Sequence, residues 1–413
     1  MSEIKETIAR YEKACKEERT KPNLYFMKVL QQEKAACEEE QHDAMRLYLA
    51  GNNKLISDYR ITDADCVVIY KWLRNDLYVV SLDLRYNNIT DDGIFHIAKL
   101  MQETANLQDV NLMCNDFGKD GAKHLAEALL KNETLKTLRL NGNKIGNEGG
   151  MYFAQALQVN LTLKSLDLGD TDLKTESLIA LATVLNYNQS LKVLNINRPI
   201  LFTQQEEPTI HFAKMLKVNK SLKELHMQKF DMRDFGVKWI AEHMFDNCAL
   251  TYLNLSCNRI TRDGAKELAK LLKYNTPLKV LDLGFNRLGD DGARHLAEAL
   301  ATYNTNLTTL VLVSNEINGK GLVDIADCMQ MNTALSNVYI WGNNLEESAC
   351  IAFASLLESG RLEPKKTDVQ SYVVDGVTYL SEVSNGLRKD YYWAPTHGEN
   401  ASPDLKKFAM KPN

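Results

Sequence analysis

Three stretches of the chain, "LKTLRLNGNKI" (135–145), "LTYLNLSCNRI" (250–260) and "LKVLDLGFNRL" (278–288), share the frame L-x-x-L-x-L-x-x-N-x-[IL]. Its first apolar position recurs at Val79, Leu107, Leu135, Leu163, Leu191, Leu222, Leu250, Leu278, Leu307 and Leu335, in steps of 28, 28, 28, 28, 31, 28, 28, 29 and 28 residues. A fixed period of this size marks a repeat architecture and constrains the fold more than any other feature. The second half of each unit reads like "DDGARHLAEALATYN" (290–304), an acid–glycine pair followed by apolar residues at helical spacing. Alternation followed by a period of about 3.6 residues means one strand and one helix per unit. A unit cannot bury its apolar face alone, so neighbours must stack. The expected fold is an α/β solenoid with a concave parallel sheet and convex helices. Helices pack about 8–10 Å apart and strands about 4.8 Å apart, which bends the stack into a horseshoe.

The asparagine of the frame has a structural task. Its amide can satisfy backbone groups where the chain leaves the strand, and copies in successive units form a ladder. The ladder is expected at Asn87, Asn115, Asn143, Asn258, Asn286, Asn315 and Asn343, with Thr171, Pro199 and Phe230 in the same slot of the three middle units. Threonine can substitute in part, whereas proline and phenylalanine cannot. The 31-residue step adds three residues between strand and helix within "LNINRPILFTQQEEPT" (194–209). Two readings of that insertion stand side by side. It is tolerated in an eroded repeat, or it is a rim loop that touches a partner through Pro199, Phe202, Glu206 and Glu207.

The ends of the chain depart from the frame. Residues 1–46 are charged and helix-prone, broken by Lys21-Pro22, and are expected to cap the first repeat. The repeats, ten or eleven of them, span 47–360 and begin with a degenerate unit at 47–77. In 361–383, "TDVQSYVVDGVTYLSEV" sets Asp375-Gly376 between two alternating runs, a hairpin signal. That hairpin is expected to cover the last edge of the sheet. Residues 384–413 read as a partly loose polar tail carrying Tyr391-Tyr392-Trp393.

The 28- or 29-residue unit, with its D-x-G-x-x-x-[IL]-A helix, resembles the ribonuclease-inhibitor class of leucine-rich repeats over about 47–360. That resemblance implies a leucine-rich-repeat solenoid. The class holds inhibitors, an activator of the Ran GTPase, tropomodulin and innate-immune receptor domains, so fold alone settles no function. Segments outside the shared frame, "NRPIL" with "QQEE", "LKELHM", "YIWGNN", "VVDGVTYLSEVSNGL" and "YYWAPTHGE", are similar to a single subfamily. This closer resemblance implies a non-enzymatic scaffold for protein partners, nuclear or nucleolar and also cytoplasmic. It further implies a link to pluripotency, differentiation and germline development, with nucleolar proteins among the partners. Two alternatives stay open: GTPase activation of the Ran-activator type, and a structural place in an axoneme or cytoskeletal assembly. Against the first, the chain lacks the long acidic C-terminal tail expected of that family.

Charge and composition narrow the classes further. Net charge is −5 with both signs interspersed, which favours neither nucleic acid nor an anionic membrane surface. No run of eighteen apolar residues exists, so no membrane span is expected, and the first residues lack a secretory signal. Eight cysteines without a CxxC pair point to a reduced, intracellular chain. The sequons at Asn132, Asn160 and Asn188 fall at one phase of the repeat, which explains them better than glycans do. No metal, cofactor or catalytic residue is expected. His96, His124 and His295 share one phase of the repeat and read as solvated helix residues, and His226 as a lone polar contact. The Asp-Gly pairs at Asp92, Asp120, Asp263 and Asp291 read as helix starts, where a carboxylate favours the positive end of the dipole.

Residues flanking the inner leucines face the concavity. One column runs Asp83, Asn111, Arg139, Asp167, Asn195, and then His226, Asn254, Asp282, Val311, Tyr339. The next runs Arg85, Met113, Asn141, Gly169, Asn197, and then Gln228, Ser256, Gly284, Val313, Trp341. Its last units are apolar and aromatic, and only two of the twenty residues are basic. Direct nucleic-acid binding by this face is therefore not expected. Val311, Val313, Tyr339 and Trp341, with Tyr252 and Phe285 near the edge, are expected to form one exposed patch for a protein partner of a monomeric chain. The competing account has the tail, led by Tyr391-Tyr392-Trp393, fold back over it.

Overall fold

The computed structural model describes residues 2–40, 44–52, 59–202 and 206–383. They fall into two compact units that divide between Val184 and Leu185. The first opens with helices α1 (Ser2–Glu17) and α2 (Leu24–Glu40), then alternates strands and helices: β1 (Met45–Tyr48), α3 (Asp63–Leu73), β2 (Val79–Asp83), α4 (Asp91–Glu103), β3 (Asp109–Asn111), α5 (Lys119–Leu129), β4 (Thr137–Arg139), α6 (Gly146–Val159), β5 (Ser165–Asp167) and α7 (Thr175–Leu185). Its strands are parallel and ordered as in the sequence, in a register that aligns Val110, Leu138 and Leu166.

The second unit continues with β6 (Val193–Asn195), α8 (Glu207–Val218), β7 (Glu224–His226), α9 (Asp234–Met244), β8 (Tyr252–Asn254), α10 (Arg262–Lys273), β9 (Val280–Asp282), α11 (Gly289–Thr302), β10 (Thr309–Val311), α12 (Gly319–Met331), β11 (Asn337–Tyr339) and α13 (Glu347–Glu358). Leu194, Leu225, Leu253, Leu281, Leu310 and Val338 stand side by side along these strands and are buried. Each inner leucine thus packs between its sheet neighbours and the helices behind them, and the fold is a leucine-rich-repeat α/β solenoid.

The asparagine ladder stands where the frame sets it. The Asn286 amide donates to Leu255 O at 3.0 Å and Leu283 O at 2.9 Å, and its oxygen accepts from Ile260 N at 3.1 Å. Asn87, Asn115 and Asn143 make the matching bonds in the first unit. The residue before the ladder slot takes positive φ throughout, from Tyr86 and Cys114 to Phe285 and Ser314. At Gly142 the turn also needs the glycine's small size, because a Cβ there would lie 2.6 Å from Cys114 Sγ. In the eroded middle, Thr171 Oγ1 keeps one bond, to Leu168 O at 2.6 Å, and Phe230 buries its ring against Phe212 instead.

Two further ladders were not anticipated. Asn132, Asn160, Asn219, Asn247, Asn304 and Asn332 are buried where each helix hands over to the next strand. Asn160 donates to Leu129 O and Asn132 O and accepts from the amides of Thr162 and Leu163. The shared phase of the sequons is therefore that of a second backbone-capping residue. The third ladder adds to the reading of the Asp-Gly pairs. Their aspartates start helices, and at α4, α5 and α10 the carboxylate that bonds the helix start comes from one unit earlier. Asp63 accepts from Thr90 N and Gly93 N, Asp91 from Gly118 N and Gly121 N, and Asp234 from Thr261 N and Gly264 N. The glycine is required by that approach: a Cβ on Gly93 would lie 2.3 Å from Asp63 Oδ1.

The ends are closed by different means. Tyr11 and Phe26 meet Trp72 edge-to-face at 5.8 and 5.4 Å, and Trp72 Nε1 donates to Thr7 O at 3.0 Å. This aromatic knot seats α1 and α2 on the first repeat, with Arg10 paired to the buried Asp76. At the other end β12 (Val369–Val374) and β13 (Val377–Glu382) form an antiparallel hairpin with Asp375 and Gly376 at positive φ. The hairpin makes its own two-stranded sheet against α13 and does not pair with the edge of β11. Past that strand, Asp368 accepts from Ile340 N at 2.9 Å and Trp341 N at 3.0 Å. A carboxylate meets those edge amides directly, which frees the hairpin to pack on the helix. Residues 384–413, with Tyr391, Tyr392 and Trp393, lie outside the described residues.

Candidate functional site

Residues two apart on a strand share a face, so each repeat presents a short row on its concave side. Much of the first column is already occupied. Asp83 Oδ1 accepts from Arg85 N, and Asn111, Asp167, Asn195, Asn254 and Asp282 do the same for the amide two residues on. These side chains close the strand exit and read as polar contact residues only in the sequence. Asp83 also pairs with Arg85 at 3.3 Å. Burial pushes the Asp83 carboxyl above its usual range, against the pull of Arg85, Arg139 and Asn111.

The expected single exposed patch does not form. Tyr252, Val311 and Tyr339 are buried at 8, 5 and 1% exposure, Val313 and Trp341 are half-buried, and Phe285 is 56% exposed. Neighbouring strands lie about 4.8 Å apart, so side chains of one row cover one another. Val311 stands between Asp282 and Tyr339 in the register. Tyr252 belongs to another row, between Glu224 and Val280, two strands away from Val311. Phe285 occupies the positive-φ turn before the ladder, which carries its ring outward. What remains accessible is Trp341 with Val313, and Phe285 at the rim.

Tyr252 instead packs against His226, ring centroids 4.7 Å apart and planes tilted by 37°. His226 is fully buried, and its Nε2 lies 3.5 Å from Glu224 Oε2. The sequence reading left His226 without a carboxylate beside it, and the structure supplies one from the same strand. The signal was available: residues 224 and 226 are two apart in an extended segment. This pair is a buried polar contact inside the second unit.

The insertion at 199–209 also resolves into parts. Phe202 is exposed and Pro199 half-buried, and the exposed Glu207 starts α8. Glu206 is buried at positive φ, and its two oxygens accept from Arg233 N and Gly236 N. Glu206 thus takes the place in the third ladder that Asp63, Asp91 and Asp234 hold elsewhere. Burial raises its carboxyl above the ordinary range, while the Arg233 and Gly236 amides pull the other way. Its role is to hold α9, which leaves Phe202 as the exposed apolar side chain of the described part of the loop.

Among the described residues no group of three or more His, Cys, Asp or Glu could hold a metal ion, and no helix is long and apolar enough to cross a membrane. His96 and His124 both meet Phe95 edge-on, at 5.3 and 5.1 Å. Those rings pack as a small aromatic cluster on the helical side.

The family model for the leucine-rich repeat matches residues 77–98, 105–126, 131–154, 159–182, 246–269, 274–297 and 303–326. The gap in that series covers the eroded middle. The chain is 52% identical over 405 residues to Leucine-rich repeat-containing protein 34 of Mus musculus, covering 98% of each chain. It is 58% identical over 390 residues to the protein of that name in Homo sapiens, covering 94% of this chain and 84% of the other. A solved structure, the Rad7 and Elc1 complex in yeast, is similar at a TM-score of 0.45 and 15% identity, over 84% of this chain and 90% of that one. These alignments run over almost the whole length of the chain, and the chain belongs to the family of Leucine-rich repeat-containing protein 34.

Proposed function

We propose that the chain is a non-catalytic scaffold that binds a protein partner through the concave side of its second unit. The observation that carries this reading is the contrast within each repeat. The buried leucine frame recurs from unit to unit, whereas the same concave position changes from Gln228 to Ser256, Gly284, Val313 and Trp341, of which Gln228, Val313 and Trp341 are half-buried and Ser256 and Gly284 buried. Variation on an otherwise constant surface is how a solenoid acquires a specific partner. Trp341 is the anchor this reading favours, because a half-buried indole gains contact area at little entropic cost.

Affinity purification with wild type beside Trp341→Ala and Phe285→Ala tests it, with melting temperatures measured on the same proteins. Loss of partners at an unchanged melting temperature is expected. Retention of every partner by both variants overturns the concave site. Nuclear or nucleolar residence, and a role in pluripotent and germline cells, belong to the same proposal and rest on the family resemblance. Imaging of the tagged full chain checks them, and exclusion from the nucleus refutes that part.

A further inference from the structure

A second surface emerges at the residue just before the asparagine position of the second ladder, which is buried at Asn188, Asn219, Asn304 and Asn332 and exposed at Asn275. In the second unit that position holds Tyr187, Val218, Tyr274, Tyr303 and Met331, exposed by 85, 47, 62, 53 and 67%. Asp246 is the one exception, and there the preceding residue, Phe245, stacks on Tyr274 at 4.1 Å between ring centroids. Large apolar side chains displayed at one phase of successive repeats form a stripe along one edge of the unit. The fold does not need them, because the neighbouring asparagines already cap the backbone.

Charge along that edge is one-sided. The same helix-to-strand segments carry Lys192, Lys217, Lys220, Lys223, Lys273 and Lys279, exposed except for the half-buried Lys192, against Asp246 as their single acid. The whole chain has a net charge of −5, so this concentration of lysine runs against its composition. Lys273 Nζ lies 5.2 Å from the Tyr303 ring centroid, so base and ring already form one recognition element.

We propose that this edge docks an extended acidic segment of a partner protein, with carboxylates facing the lysines and an apolar side chain entering beside each ring. Helices of successive repeats stand about 8–10 Å apart, which is close to three residues of extended chain at about 3.3 Å each. The segment it fits therefore places an apolar residue at every third position between acids. One feature favours a polypeptide over single-stranded nucleic acid: Val218 and Met331 are aliphatic and offer no stacking face for a base. The chain's own 384–413 segment carries Arg388, Lys389, Lys406, Lys407 and Lys411 against Asp390, Glu399 and Asp404, so its charge does not complement this edge. The proposal rests on the scaffold reading but not on Trp341 or the concave side.

The test uses the full chain and a fluorescein-labelled peptide of repeated Glu-Glu-Leu, about 15 residues long to span the edge. Its binding is followed by fluorescence anisotropy at low and high salt. Saturable binding that weakens with salt is expected, with a loss of about tenfold or more in Lys217→Glu/Lys220→Glu/Lys223→Glu. Tyr274→Ser/Tyr303→Ser is expected to weaken binding while leaving its salt dependence unchanged. All five sites are exposed, so melting temperatures should hold. If charge reversal lowers them, Gln at the three lysines should give the same direction with a smaller loss. Absence of saturable binding overturns the proposal, as does affinity indifferent to both variants. Tighter binding of an oligothymidylate of equal length, or of a peptide of residues 384–413, also overturns it. A rim that fails while Trp341→Ala still loses partners refutes this proposal and leaves the concave scaffold standing.

Discussion

Removing one rung of the first ladder should cost less than its four hydrogen bonds suggest, and the neighbouring rungs are the reason. Asn286 is buried and donates to Leu255 O and Leu283 O. Each of those carbonyls has a second donor, Leu255 O from Asn258 and Leu283 O from Asn315. In Asn286→Ala the only group left without its partner is the Ile260 amide. An unsatisfied buried donor costs about 1–3 kcal/mol, and loss of the shared bonds adds a fraction of that, so about 2 kcal/mol is expected. Asn286→Asp restores an acceptor for Ile260 but turns a carboxylate oxygen toward two carbonyls, and it should cost more than alanine. Lys266→Ala is the control: Lys266 is an exposed residue inside α10, so a change within about 0.5 kcal/mol is expected. Urea unfolding followed by circular dichroism ranks the three. If Asn286→Ala falls within error of Lys266→Ala, or Asp proves milder than Ala, the shared-carbonyl argument is refuted.

The insertion gives two further predictions. Glu206→Ala leaves the Arg233 and Gly236 amides at the start of α9 without their acceptor and should destabilise by about 1–2 kcal/mol, whereas Phe202→Ala should change stability little. Equal effects would mean that Glu206 is not a cap. Burial raises the Glu206 carboxyl above its ordinary 4.5, so the linked stabilisation is present below that value and is lost as pH rises through the raised one. The stability of wild type relative to Glu206→Gln should therefore fall from acid to neutral pH, and a difference that grows with pH would contradict the sign. Finally, adding the purified chain to GTP-loaded Ran is expected to leave phosphate release unchanged. Acceleration would refute the non-catalytic reading.

The repeat, its strand–helix order and the first asparagine ladder were legible in the sequence because they depend on spacing alone. Leu138 and Leu166 are buried for the same reason that they recur 28 residues apart. The phase shared by Asn132, Asn160 and Asn188 was visible too, but not that these side chains turn inward to cap the previous helix. The site was less legible. Spacing puts Val311 and Tyr339 on one face, yet it carries no information about how far side chains in a row bury one another. Nor could it assign Glu206 to α9, since that contact joins residues 27 and 30 apart across two repeats. Periodicity determines which way a side chain points. What it touches depends on the neighbouring repeat, and that neighbour decided that Glu206 caps a helix, that Asp368 closes the last strand and that the tyrosines before the second ladder stay in solvent.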